Sequence, residues 1–354
     1  MRTRKALLTL AATLSLMSSP ATNIHDGDIP SSPPPLHCIA PPYLHAGDTI
    51  ALISPSYVTP MENVYKTVRV LRQWGFVPVI GPHVGNTYSL KYAGTVDERL
   101  SDLRWALNDP SIKAIICNRG GYGTLHFIDK LSAAELSATP KWIVGYSDIT
   151  TLHGMETCSG VMSIHGSMSS QIASSQDTDA TITLLRDMLT GKLPRYELPN
   201  HPQNLPGHAR GVLIGGNICT FAPMLDTWTD ATSHDGFILF IEEVEESMHN
   251  IDRLFNMLLL RGAMSRCRGV ILGQFTDCGK EFDYDSVEAM LRDYLKDYDI
   301  PVACGMPSGH GKPNYPLMMG ALVDLNVQED GATITFCVEG KQQTVKVADA
   351  VSKP

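Results

Sequence analysis

Four short apolar runs between Gly47 and Val144, with segments of helical period between the first three, constrain this chain more than any other feature. Thr49-Ile50-Ala51-Leu52-Ile53 reads as a strand that stops at Ser54-Pro55-Ser56. Glu62 to Trp74 follows as a helix with Val64, Val68 and Leu71 on one face, and Phe76 to Ile80 reads as the next strand, broken by Gly81-Pro82. Asp97 to Leu107 repeats the helical period through Leu100, Leu103 and Leu107, and the strands Ala114–Cys117 and Trp142–Val144 come after it. Strands alternating with helices predict a mostly parallel sheet with helices on both faces.

A second folded region begins at Gly211-Val212-Leu213-Ile214-Gly215-Gly216-Asn217. It continues through the strand Phe237–Ile241, a helix from about Asn250 to Arg261, the strand Gly269–Leu272, a helix from about Tyr284 to Leu295, and β runs near Ala321–Val327 and Ala332–Val338. Between the two regions the chain is rich in Ser, Asp, Pro and Asn, which places a linker at 176–207. The expected organisation is then a signal segment over 1–21, a Pro/Ser-rich arm over 22–45, an N-terminal domain over 46–175 and a C-terminal domain over 208–354.

Residues 1–21 carry Arg2, Arg4 and Lys5, then an apolar run from Ala6 to Met17, then Ser19-Pro20-Ala21. A charged start, a short apolar stretch and a small-residue exit read as a secretory signal, so the protein is expected to be exported, periplasmic or secreted. No apolar run is long enough to span a membrane. The net charge of −9 lacks the cationic field that nucleic-acid binding relies on. The eight cysteines show no CxxC or Cys/His ligand spacing, so no metal site is expected, and Cys117 and Cys337 read as buried free thiols within apolar strands. One or two disulfides among the eight stay open.

The chemistry-bearing residues cluster at strand ends. Ser147 follows the strand Trp142–Val144 and Gly145, and precedes the helix-like Thr150 to Met155. A sharp strand-to-helix turn would push its hydroxyl out of the sheet and aim the N–H of Asp148 at the same space, which suits a nucleophile beside an oxyanion donor. A serine at such a turn is also an ordinary helix N-cap. Arg119-Gly120-Gly121-Tyr122-Gly123 ends another strand, where ligands gather in parallel sheets; a plain tight turn is the competing reading. Glu242-Glu243-Val244-Glu245-Glu246 follows a buried strand, as a solvated acidic face or as a carboxylate held dry enough to orient an imidazole. Among 12 histidines, His310 has the most distinctive setting, between Gly309 and Gly311; His153 and His165 are rivals, and a structural histidine is the default for each.

Taken in order, Tyr146-Ser147-Asp148 after the Arg-Gly-Gly-Tyr-Gly loop, Gly215-Gly216-Asn217, the Glu242-Glu243 pair, Asn250-Ile251-Asp252-Arg253 and Gly309-His310-Gly311 resemble the LD-carboxypeptidase family of serine peptidases, from Gly47 to about Val327. The resemblance implies an α/β fold: an N-terminal doubly wound domain similar to class I glutamine amidotransferases and a smaller C-terminal α/β domain, with the site in a hinged cleft between them. It implies a triad of Ser147, Glu242 and His310, with Glu243 competing with Glu242, and an oxyanion hole from the N–H groups of Asp148 and Gly121 or Gly120. The substrate implied is a muropeptide tetrapeptide that loses its terminal D-Ala, with no metal or cofactor, and such proteins often form homodimers. A carboxypeptidase must hold a free carboxylate, for which Arg119 is suited, and Asn217 could donate to a peptide backbone.

Two further readings compete. An exported solute-binding protein would share the two α/β domains and the signal but gives no reason for Ser147, Glu242 and His310. A peptidase of the same family that cleaves an antibiotic peptide–nucleotide conjugate would need base-stacking aromatics near the cleft, for which Trp105, Trp142 and Trp228 are candidates. An amidotransferase is disfavoured because the turn carries a serine where such enzymes use cysteine.

Overall fold

The computed structural model describes residues 34–89, 91–175, 179–279 and 284–338, and the backbone course of 343–348. The expected signal segment over 1–21 and the first part of the arm lie outside the described residues. Among the described residues fourteen strands run in chain order: β1 (Thr49–Ile53), β2 (Val77–Ile80), β3 (Ile112–Cys117), β4 (Trp142–Gly145), β5 (Ser163–His165), β6 (Leu193–Pro199), β7 (Gly207–Asn217), β8 (Phe237–Val244), β9 (Cys267–Thr276), β10 (Val302–Ala303), β11 (Leu317–Met319), β12 (Leu322–Gln328), β13 (Gly331–Phe336) and β14 (Gln343–Ala348). They form a six-stranded sheet in the order β11-β5-β4-β3-β1-β2 and an eight-stranded sheet in the order β10-β9-β8-β7-β12-β13-β6-β14.

The first sheet is parallel except at β11, and its two faces bury different sets of side chains. Ile50, Leu52, Ile116 and Val144 pack with Val64 and Leu71 of the helix Met61–Gln73. Ala51, Ile53, Ile115 and Ile143 pack with Leu100 and Leu103 of the helix Val96–Asn108. This alternation is the period of two of a strand buried on both sides. The second helix starts where Thr95 accepts the Glu98 N–H and the Glu98 carboxylate accepts the Thr95 N–H, so two orphan amides are satisfied together.

The two sheets share one core. Leu213, Ile238, Phe240 and Ile271 of the second sheet belong to the same apolar cluster as Ile50, Leu52 and Val144 of the first. Leu317–Met319, late in the chain, adds an antiparallel edge strand to the first sheet beside β5.

The stretch 176–207 carries the helix Ala180–Leu189 and strand β6, because Leu184, Leu185, Met188 and Leu189 bury one helical face. The second sheet, expected in the smaller unit, has more strands than the first, because β6 and β14 join it. Within the arm, Ile39 bridges Val161, and the Leu44 N–H donates to the Leu189 carbonyl. All eight cysteines are free; Cys117 is fully buried and Cys337 half-buried. Among the described residues no helix is long and apolar enough to cross a membrane, and no group of three His, Cys, Asp or Glu could hold a metal ion.

Candidate active site

Ser147 stands at the C-terminal end of β4 with φ of 64°, a left-handed conformation that costs a non-glycine residue on the order of 1–3 kcal/mol. The surroundings hold it there. The Gly145 carbonyl, just before the turn, accepts from His153 Nε2 at 2.9 Å and from the Gly166 N–H at 3.0 Å. The Asp148 carboxylate accepts from Ser56 Oγ at 2.5 Å and from the Thr124 N–H at 3.0 Å, tying the turn to the loops after β1 and β3. Among the described residues neither the Asp148 N–H nor the Gly121 N–H donates to a protein acceptor. Both residues line a cavity of about 390 Å³ with Ser147 and Asn217.

Glu242 lies inside β8, not after it, and is fully buried. Its Oε2 meets His310 Nδ1 at 2.7 Å. A carboxylate at Nδ1 makes that nitrogen the donor and leaves Nε2 as the acceptor. Burial pushes His310 down, but the hydrogen bond and charge of Glu242 outweigh it, so the imidazole sits above its ordinary value. Burial raises Glu242, against the opposing pull of His310.

The loop carrying His310 is braced from three sides. Gly309 has φ of 136°, and a Cβ there would lie 2.8 Å from Glu242 Oε2, so only glycine lets the backbone come this close. Gln274 accepts the Gly311 N–H at 2.8 Å and donates to the Pro313 carbonyl at 2.9 Å. Asn314 Oδ1 accepts the Gly309 N–H at 3.0 Å. The His310 ring packs edge-on against Tyr146, the residue before Ser147, with centroids 4.9 Å apart. Among the described residues no hydrogen bond joins Ser147 Oγ to the ring; such bonds are often long until substrate is bound.

Glu243 points elsewhere, as strand alternation requires. Its Oε1 accepts from Asn217 Nδ2 at 2.7 Å and its Oε2 from the Cys219 N–H at 2.9 Å. Asn217 is thus already engaged: its Oδ1 caps the short helix Ile218–Phe221 through the Thr220 N–H. Its own N–H donates to Thr150 Oγ1 at 3.0 Å, a close approach that Gly216, with φ of 137°, permits. Arg119 is exposed, donates to the Val58 carbonyl at 3.2 Å, and lines neither this cavity nor the one beside His310.

The rival histidines are structural. His153 is buried with both ring nitrogens spent, on Gly145 and on Ser163 Oγ at 2.8 Å, and burial pushes it down to about 4. His165 is fully buried against Phe240 and Tyr146, and burial holds it well below the ordinary value. Gln274 and Asn314 gave no local signal in the sequence, because their importance comes from which loop they touch.

The LD-carboxypeptidase N-terminal domain profile matches residues 50–166, and the C-terminal domain profile matches residues 210–325. The chain belongs to the LD-carboxypeptidase family. It is 31% identical to the murein tetrapeptide carboxypeptidase of Pseudomonas aeruginosa, over 75% of this chain and 89% of that one. It is 28% identical to the microcin C7 self-immunity protein of Escherichia coli, over 82% of this chain and 94% of that one. The crystal structure of muramoyltetrapeptide carboxypeptidase from Oxalobacter formigenes superposes with a TM-score of 0.73 at 26% identity, over 84% of this chain and all of that one.

Proposed function

We propose that the protein is a serine carboxypeptidase that removes the terminal D-Ala from muropeptide tetrapeptides, in peptidoglycan turnover or recycling. The observation that carries this reading is the 2.7 Å bond between buried Glu242 and His310 beside the positive-φ turn of Ser147, in a chain whose relatives include a murein tetrapeptide carboxypeptidase. In this reading His310 Nε2 takes the Ser147 proton as the hydroxyl attacks the carbonyl that precedes D-Ala. Glu242 keeps the proton on Nδ1 and stabilises the imidazolium that forms. The N–H groups of Asp148 and Gly121 receive the oxyanion. His310 then protonates the leaving amine, D-Ala departs, and water repeats the sequence on the acyl-enzyme. The test is incubation of the purified chain and of Ser147→Ala with a muropeptide tetrapeptide, read by mass spectrometry. Tripeptide and free D-Ala from the wild type alone are expected; equal turnover by Ser147→Ala would overturn the assignment.

A second reading, cleavage of an antibiotic peptide conjugate, draws support from the likeness to the microcin C7 self-immunity protein. The tryptophans proposed for base stacking do not favour it. Trp142 is buried in the core, Trp105 packs against the apolar cluster below the first sheet, and Trp228 donates to the Ile128 carbonyl; none lines the cavities beside Ser147 and His310.

A further inference from the structure

A cavity of about 370 Å³ opens beside His310, on the Tyr146 side, and nothing in the proposed chemistry so far occupies it. Its wall is rich in unspent donors. Ser167 Oγ and Asn314 Nδ2 are buried there, with no partner among the described residues. The Tyr146 hydroxyl accepts from Gln171 Nε2 at 2.7 Å, which leaves its own proton to give. Lys312 lines the same cavity, two residues past His310, and makes no ion pair among the described residues. The carboxylate in the wall, Asp179, is already turned to the Thr181 N–H as a helix cap.

From this arrangement we infer that the cavity seats the terminal carboxylate of the residue that leaves, with Lys312 as its cation and the Asn314 amide and Ser167 hydroxyl as neutral donors. The inference rests on the carboxypeptidase reading and gives it a carboxylate anchor: Lys312 is exposed, as Arg119 is, but it lines the cavity beside His310 and Arg119 does not. The connection is chemical. His310 gives its proton to the leaving amine, so the leaving residue lies on the His310 side of the attacked carbonyl. In an α-amino acid the carboxylate is two bonds from that amine, so the cation that holds it must stand close to the imidazole. Lys312 does so on the same loop, and Gln274 fixes that loop by holding Gly311 and Pro313 on either side of Lys312. Charge and hydrogen bonds to a carboxylate in a walled site favour the free acid over a neutral amide by about tenfold or more.

The experiment compares wild type, Lys312→Met and Lys312→Arg on two peptides, the tetrapeptide with a free terminal carboxylate and the same tetrapeptide as its terminal carboxamide. Wild type is expected to favour the free acid in kcat/KM by about tenfold or more. Lys312→Met should erase that preference through a higher KM on the free acid, with little change on the amide, and Lys312→Arg should keep part of it. An acid-to-amide ratio unchanged in Lys312→Met overturns the inference. A folded wild type that cleaves neither peptide, releasing neither D-Ala nor its amide, defeats the carboxypeptidase reading instead. Calorimetric binding of both peptides to Ser147→Ala, with and without Lys312→Met, then decides the cavity separately. A preference for the free acid that disappears with Lys312→Met supports it; a preference that persists, or no binding of the free acid, overturns it.

Discussion

The turn that carries Ser147 and the loop that carries His310 converge on Tyr146 by different means. The turn takes its course from one stretch: β4 delivers it, Ser147 takes φ of 64°, and His153, six residues later, locks the Gly145 carbonyl, while Ser56 and Thr124 tie Asp148 to two other loops. The loop is assembled from afar. His310 finds Glu242 68 positions earlier in the chain and Gln274 of β9 holds Gly311, while Asn314 of the same stretch holds Gly309. A turn whose course is set by its own strand and helix, with Ser56 and Thr124 as outside ties, should tolerate the loss of one tie. A loop assembled from several elements depends on each brace, so damage to any of them should reach the imidazole.

This contrast can be broken most directly at its two ends. Ser147→Ala removes the attacking oxygen and should lower kcat by on the order of 10⁴-fold or more, read as D-Ala release from tetrapeptide. Glu242→Gln keeps the size of the side chain but can no longer dictate the tautomer, and should cost roughly 10³–10⁴-fold. The same change should also move the acid limb of the kcat/KM profile. Glu242 raises His310, so wild type should lose activity, as pH falls, at a pH above the ordinary histidine range. Glu242→Gln should move that limb to lower pH; a limb that stays in place would mean that another group titrates.

Gln274→Ala releases Gly311 and Pro313 together, and should lower kcat by about 10–100-fold through misplacement of the imidazole, while labelling of Ser147 by a small phosphonate falls with it. Retention of full kcat would show that the loop holds without this brace. Thr150→Val leaves the buried Asn217 N–H without its acceptor and should cost about 1–3 kcal/mol of stability, measured by denaturant unfolding.

The sequence showed the local parts better than the distant ones. Strand β1 falls at Thr49–Ile53 as its apolar run indicates, and the Ser147 turn follows from a strand, a glycine and a helix start in immediate succession. The edge strand Leu317–Met319 carries no such mark, since three apolar residues in a loop-like stretch say nothing about which sheet they join. Pro194, Pro199, Pro202 and Pro206 made 176–207 look like a linker, yet the first two lie at or near the ends of β6, where a missing N–H is tolerated. Glu242 and Glu243 could be separated by strand alternation, but only the structure shows which of the two faces His310. Lys312 and Asn314 stand beside the glycines that drew attention to His310, and their chemistry emerges only once the cavity wall is assembled.

The most direct test of the central claim, that His310 held by Glu242 activates Ser147, is the pH dependence of phosphonate labelling in wild type and Glu242→Gln, with the labelled peptide identified by mass spectrometry. The expected result is a single label on Ser147, forming fast in wild type above the raised histidine range and on the order of 10³-fold more slowly in Glu242→Gln. A label on another residue, or equal rates in the two proteins, would contradict it.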